Sequence, residues 1–435
     1  MLPIGAQAQA PLTGTQRLDW SGDLSIRMVA GIDAFLQKEI DRSVAERPKL
    51  WRRDFSSPAA YEKSVAANRE RFRTIIGAVD ERVPVGALEY VQTTASPAEV
   101  ATTERYTVYA VRWPVFEGVF GDGLWLKPKA GRGASVIAIP EADQTPEMLA
   151  GLAPGVSAEN QFARRLAENG CQVLVLSLVD RRDTWSGTAR LGRFTNQPHR
   201  EWIYRQAYEL GRHIIGYEVQ KVLAAVDWLE SVEVQSPRSK VQSPKSKVQG
   251  LKIGVAGYGE GGLIAFYAAA VDPRIRAALV SGYFGSRQKV WEEPIYRNVF
   301  GLLQEFGDAE IASLIAPRTL IVEHSIVPTL SGPPEPRGIR RGAAPGTWAT
   351  PDFNRAESEV KRAERLVQAL GKPCIDHVYG NEGMPMGPGS ESALLSLLSA
   401  LGETIRTLNP PDSAPADLRR AFDPEERQRR QVAEL

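Results

Sequence analysis

Cysteine, histidine and net charge are all scarce in this chain. Its 435 residues include two cysteines and four histidines, and 53 Lys+Arg against 52 Asp+Glu leave a formal charge of +1. Cys171 and Cys374 stand in apolar runs, CQVLVLSLV and CIDHV, without metal-ligand spacing. That excludes a disulfide-stapled scaffold or a cysteine-rich zinc module and reads both as buried free thiols. So balanced a charge offers nothing to the phosphates of a nucleic acid or to an acidic membrane surface; a small ligand or another protein surface suits it better. No stretch approaches the roughly 20 apolar residues of a membrane span. No metal and no cofactor is expected.

What the chain does have is apolar sequence in regularly changing patterns. With 43% hydrophobic and 24% charged residues it can bury a large core. Residues 1–22 read as a flexible start. There Ala6-Gln7-Ala8-Gln9-Ala10 before Pro11 resembles the small-residue end of a secretory signal but lacks its basic and long apolar parts. Periplasmic or secreted and cytoplasmic locations both stay open. Residues 23–103 form a helical extension, with Ile26, Val29, Ile32, Phe35 and Ile40 at helical spacing and Ser57-Pro58 opening a second helix through Phe72 and Ile76.

From 104 to 406 strands alternate with helices, which predicts an α/β domain with a mainly parallel sheet of about eight strands and helices on both faces. YTVYAVRWPVFEGVFGDGLWLKP alternates as strand, with a turn expected at Gly121-Asp122-Gly123. ASVIAIP, CQVLVLSLV, KIGVAG, AALVSG, RTLIVEHS and PCIDHVYG are buried strands, and residues 199–230 read as one long helical stretch. Residues 234–249, a tandem repeat of Ser, Pro, Lys and Gln, cannot bury a core and form a surface insertion. Residues 407–435 comprise a Pro-rich linker and a charged helix, an arrangement that can lead into a second domain.

One segment carries the functional reading. KIGVAG runs into Gly257-Tyr258-Gly259-Glu260-Gly261-Gly262 and then directly into an Ala-rich helix. Strand, tight glycine turn and helix serve two chemistries: the nucleophile elbow G-x-S-x-G and the dinucleotide fingerprint G-x-G-x-x-G. Gly257, Gly259 and Gly262 satisfy the second literally. However, the next strand ends at Ser281-Gly282 with no carboxylate for a ribose, and the motif lies past the middle of the chain. The NAD(P)-binding reading is therefore the weaker.

Around this turn, Asp272-Pro273-Arg274-Ile275 and Leu314-Ile315-Ala316-Pro317-Arg318-Thr319-Leu320-Ile321-Val322 stand in the order seen in one group. Over about residues 104–405 the chain resembles the α/β-hydrolases of the acetyl-xylan-esterase and dienelactone-hydrolase kind. The resemblance implies the α/β-hydrolase fold and a carboxylic-ester hydrolase triad of serine, acid and histidine. It places the nucleophile at Gly259, which has no side chain to form an acyl-enzyme. The acid-bearing strand ends in Glu323-His324. The loop expected to hold the histidine, Tyr379-Gly380-Asn381-Glu382-Gly383-Met384-Pro385-Met386, has none. The oxyanion side carries Glu141 and Asp143, carboxylates that oppose stabilisation of negative charge. His199 and His213 lie on the helical stretch, as cap or solvated face.

The leading expectation is therefore a catalytically vacant hydrolase domain, acting as scaffold or regulatory half beside a second hydrolase domain or another protein. Two alternatives remain: an active ester hydrolase with a displaced constellation, Glu260 or Glu323 with His324 activating water; or a module binding carbohydrate or a small ester, with Trp113, Trp125, Trp185 or Trp202 available for stacking. Asn381 and Glu382 mark where a base would have to be restored.

Overall fold

The computed structural model describes residues 12–94, 96–130, 133–235 and 252–435. The signal-like run at 6–10 and nearly all of the 234–249 insertion lie outside these residues. Fourteen strands are defined among them. Two short ones, β1 (Glu89–Tyr90) and β2 (Glu99–Thr102), flank the long β3 (Tyr106–Phe116), which pairs antiparallel with β4 (Val119–Pro128). Next come β5 (Ser135–Ile139) and β6 (Gln172–Leu176), then a two-strand ribbon, β7 (Gly187–Thr188) and β8 (Arg193–Phe194). The remainder are β9 (Ile253–Tyr258), β10 (Ala277–Ser281), β11 (Thr319–Glu323), a second ribbon of β12 (Leu330–Gly332) and β13 (Gly346–Trp348), and β14 (Ile375–Val378).

Ten strands form one sheet in the order β1-β3-β4-β6-β5-β9-β10-β11-β14, with β2 pairing β3. Pairing is parallel from β6 to β14 and antiparallel at the β4 end. The eight strands read from sequence are all present, KIGVAG lies inside the sheet, and β1 and β2 are added at the edge. Both faces are covered, which is why the parallel strands are apolar throughout. Ile253 and Val255 face one buried layer with the helices Ile214–Gln235 and Glu260–Val271, while Ala256 and Tyr258 face another with Phe162–Glu168 and Glu391–Ala400.

Two sequence expectations are corrected here. The turn between β3 and β4 is at Glu117-Gly118, and Gly121 and Gly123 lie inside β4. They are glycines for want of space: a Cβ at Gly121 would lie 2.2 Å from the Trp113 ring, and one at Gly123 would lie 1.8 Å from the Val175 carbonyl oxygen. Residues 199–230 are two helices, His199–Tyr208 and Ile214–Gln235. Between them Gly211 takes φ +65°, and the His213 ring accepts the Ile215 N–H at 3.1 Å as a helix cap. Burial pushes the His213 pKa down to about 4, so it caps as a neutral ring. Both cysteines are buried as expected, with thiol pKa values raised by burial to about 12 at Cys171 and about 11 at Cys374.

The charged helix expected near the C-terminus is Pro424–Glu434, capped by Asp423, and it lies against the β4 side of the sheet. Its buried face is polar. Arg427 forks onto Glu147 at 2.8 and 2.9 Å and reaches Asp122 at 3.0 Å. Gln431 accepts from the fully buried Lys221 ammonium at 2.7 Å, and Gln428 donates to the Leu178 carbonyl at 2.7 Å.

Candidate functional site

Ligands of open α/β sheets bind beyond the carboxyl ends of the strands, where the strand order reverses. In this sheet that place lies between β5 and β9. The segment after β5 delivers Glu141, and the segment after β9 delivers Gly259 and Glu260.

Gly259 is the tip of the strand-to-helix turn, as the motif implied. It has φ +59° and ψ −118°, precedes the helix Glu260–Val271, and donates its N–H to the Ser281 carbonyl at 3.0 Å. Its neighbours must also be small, since a Cβ at Gly257 would lie 1.9 Å from the Gly261 carbonyl oxygen and one at Gly261 2.2 Å from that of Ile139. The strand, tight turn and helix of an elbow are thus present, with no side chain at the tip. The volume into which a side chain at 259 would project is filled: an added Cβ would meet Glu141 Cγ at 2.7 Å and Trp348 Cη2 at 3.2 Å.

Glu141 and Trp348 are both buried and held in place. Arg181, after β6, forks onto Glu141, donates to Asp143 at 2.8 Å and to the Tyr296 hydroxyl at 2.8 Å, and stands 3.5 Å from Glu260. Arg297 donates to Glu260 at 2.9 Å and lies over the Trp348 ring at 4.5 Å. Arg200 makes a bidentate pair with Glu218 at 2.8 Å and reaches Glu260 at 3.5 Å. Trp348 is carried on β13. The loop before it is pinned where Asn196 and Glu201 accept the N–H groups of Ala343 and Ala344 at 3.0 and 2.9 Å.

Alternating carboxylates and guanidiniums therefore surround the tip of this turn. Burial alone would raise the Glu260 pKa, but Arg297, Arg200 and Arg181 outweigh it and hold the carboxyl at about 2. Burial opposes ionisation of Glu141 too, and Arg181 again prevails, leaving its pKa below the usual value. Neither carboxylate is a proton acceptor near neutral pH. Because Glu260 titrates near 4.5 when unfolded and near 2 when folded, its ionisation stabilises the fold fully above about pH 4.5, a contribution lost as pH falls toward 2. Glu260→Gln is expected to cost on the order of 3 kcal/mol at neutral pH. The gap between the two proteins' denaturant midpoints should close progressively between pH 4.5 and 2; a gap independent of pH would show that shape rather than charge is lost.

The other candidates are dispersed. Glu323 at the end of β11 is buried and accepts the N–H groups of Gly389 and Ser390 at 2.8 Å each, capping the helix Glu391–Ala400. The His324 ring packs edge-on against Phe353 at 5.3 Å. His377 stacks on the same phenylalanine at 5.9 Å, and among the described residues no Ser or Cys hydrogen-bonds either ring. Burial lowers both pKa values. Asn381 and Glu382 form a single turn, Asn381–Gly383, with Glu382 at φ +55°. His199 is not on a solvated face: it is fully buried, 2.6 Å from Asp180 through Nδ1, with Nε2 accepting the Trp185 N–H at 3.0 Å. Both ring nitrogens are thus engaged. Trp113 and Trp125 are core residues, and Trp185 stacks on His199 at 5.0 Å.

Arg181, Arg200, Arg297, Glu218 and Trp348 went unread in the sequence. One local signal existed: Asp180-Arg181-Arg182-Asp183 places four charges just past the end of a buried strand. Beyond Trp348 opens a cleft of about 490 Å³, lined in part by Arg287, Lys289, Thr347, Thr350 and Arg355.

No protein-family model and no curated protein matches the chain. Solved structures do. A Bacteroides fragilis protein solved as a candidate acetyl xylan esterase superposes with a TM-score of 0.50 at 14% identity, covering 82% of this chain and 86% of its own. Methylesterase BT1017 gives 0.48 at 14% identity, covering 87% and 73%. A glucuronoyl esterase from Solibacter usitatus gives 0.43 at 14%, covering 78% and 93%.

Proposed function

We propose that this chain, with the α/β-hydrolase fold of the acetyl xylan esterase type, is a catalytically vacant hydrolase domain that works as a scaffold or regulatory partner. One observation supports the reading most: Gly259 has no side chain, and a Cβ added there would crowd against Glu141 and Trp348, so the elbow presents no nucleophile and little space for one. The displaced-constellation alternative loses support. Glu260 and Glu323 are consumed by arginines and by a helix cap, and no hydrogen bond links either to His324.

Incubation with p-nitrophenyl acetate is expected to give no turnover above the buffer rate, and a fluorophosphonate probe is expected to leave no adduct. Turnover that disappears in His324→Ala would overturn the proposal. A second reading is favoured by the open cleft beside Trp348, with the hydroxyls of Ser331, Thr347 and Thr350 around an aromatic edge: the domain retains a carbohydrate or small-ester binding role without turnover. Xylo-oligosaccharides should then raise the melting temperature saturably, and no shift at millimolar ligand would remove this reading.

A further inference from the structure

The N-terminal helix Leu24–Glu46 has the apolar periodicity of a packed helix, yet none of its residues is buried. Over residues 24–36 every position is exposed, including Ile26 at 67%, Val29 at 68%, Ile32 at 57% and Phe35 at 60%. At 1.5 Å per residue this exposed part is roughly 20 Å long. Only the far end is seated, beside Leu302–Glu305, where Ile40 lines a cavity of about 230 Å³ together with Trp291, Val299 and Leu302. Next to that cavity the body is itself apolar and uncovered: Phe300 is 79% exposed and Trp291 49%.

Leu24, Ile26, Met28, Val29, Ile32, Phe35 and Leu36 each expose roughly 100 Å², about 700 Å² in all. That exceeds the largest apolar patch of an ordinary monomer and approaches the roughly 800 Å² per partner of a stable interface. The apolar side chains are not confined to one face, so a single flat surface would not cover them. Charge argues against a lipid surface: residues 24–36 carry one base, Arg27, and one acid, Asp33, with none of the basic face an interfacial helix uses. Apolar protein surface therefore suits the arm better than lipid, and one such surface lies at the foot of the helix itself.

We propose that the helix is an exchange arm and that its partner is a second copy of this chain. In a two-fold dimer the arm of each copy lies across the Trp291–Phe300 patch of the other, so that patch and the side of the arm facing it are buried in one self-complementary interface.

Sedimentation velocity on the full chain is expected to show a dimer. Ile32→Glu with Phe35→Glu, at positions exposed in a single copy, should weaken dimerisation roughly a hundredfold or more with an unchanged circular dichroism spectrum. Phe300→Asp should do the same. Mixing the two monomeric variants should restore a heterodimer, because one intact arm then meets one intact patch. A monomer at every concentration overturns the proposal, as does a dimer indifferent to the arm substitutions. Dimerisation lost in the arm variant but intact in Phe300→Asp overturns the exchange in favour of arm-to-arm pairing. Recovery of the chain on phosphatidylcholine vesicles, lost in the arm variant, overturns it in favour of a membrane.

Discussion

Gly259→Ser is expected to lower stability by about 2–6 kcal/mol and to yield no esterase activity. Two effects add. At φ +59° and ψ −118° a residue with a Cβ carries backbone strain of about 1–3 kcal/mol. The Cβ also arrives 2.7 Å from Glu141 Cγ, an overpacking that costs a further 1–3 kcal/mol or so, because Glu141 is clamped by Arg181 and cannot swing away freely. An ester hydrolase accepts the same strain at its elbow because the nucleophile enters an open pocket. In this chain Glu141 and Trp348 crowd the position, and the loop after β14 supplies no histidine. Adding Asn381→His is therefore expected to yield no turnover either, since the serine would still be crowded by Glu141 and Trp348. Chemical denaturation and a chromogenic ester assay test both halves. Unchanged stability would mean that Glu141 and Trp348 move aside readily, and turnover would mean that a base already reaches the elbow.

The second large effect is expected far from the elbow. Arg427→Met should cost about 3–5 kcal/mol, because it removes the bidentate partner of Glu147 and a partner of Asp122, carboxylates that are 2% and 5% exposed. Arg419 at 3.2 Å and Arg430 at 2.7 Å remain to these acids but do not replace the fork. Adding Glu147→Gln to Arg427→Met should recover part of the loss, since the neutral amide removes the stranded charge. If the double variant is the less stable by the full sum of both single effects, the helix is held by packing and not by this ion pair.

The sheet was legible because buried parallel strands are short apolar runs that helices must separate, and each such run formed a strand. The elbow was legible because its glycines are adjacent in sequence and their spacing is dictated by the turn. The β3–β4 turn was misplaced because Gly121 and Gly123 imitate turn chemistry while answering to Trp113 and Val175, residues whose proximity no local pattern announces. The same limit hid the site. Arg181, Arg200 and Arg297 come from three separated segments, each in a context that reads as surface charge, and only the fold brings them to Glu260. The stripe of Ile26, Val29, Ile32 and Phe35 was read correctly as a helix, but periodicity does not say what covers the stripe.

Glu141 has a consequence for anything that would use the switch point. Tied to β5 by a single intervening proline and gripped by Arg181, it behaves as a tethered ligand whose effective concentration far exceeds that of any diffusing carboxylate or ester. A competitor would have to release the Arg181 fork and leave a buried charge unpaired before gaining a contact of its own. On the proposed reading Glu141 is a permanent occupant, and small acids or esters in solution are expected to be bystanders to this position.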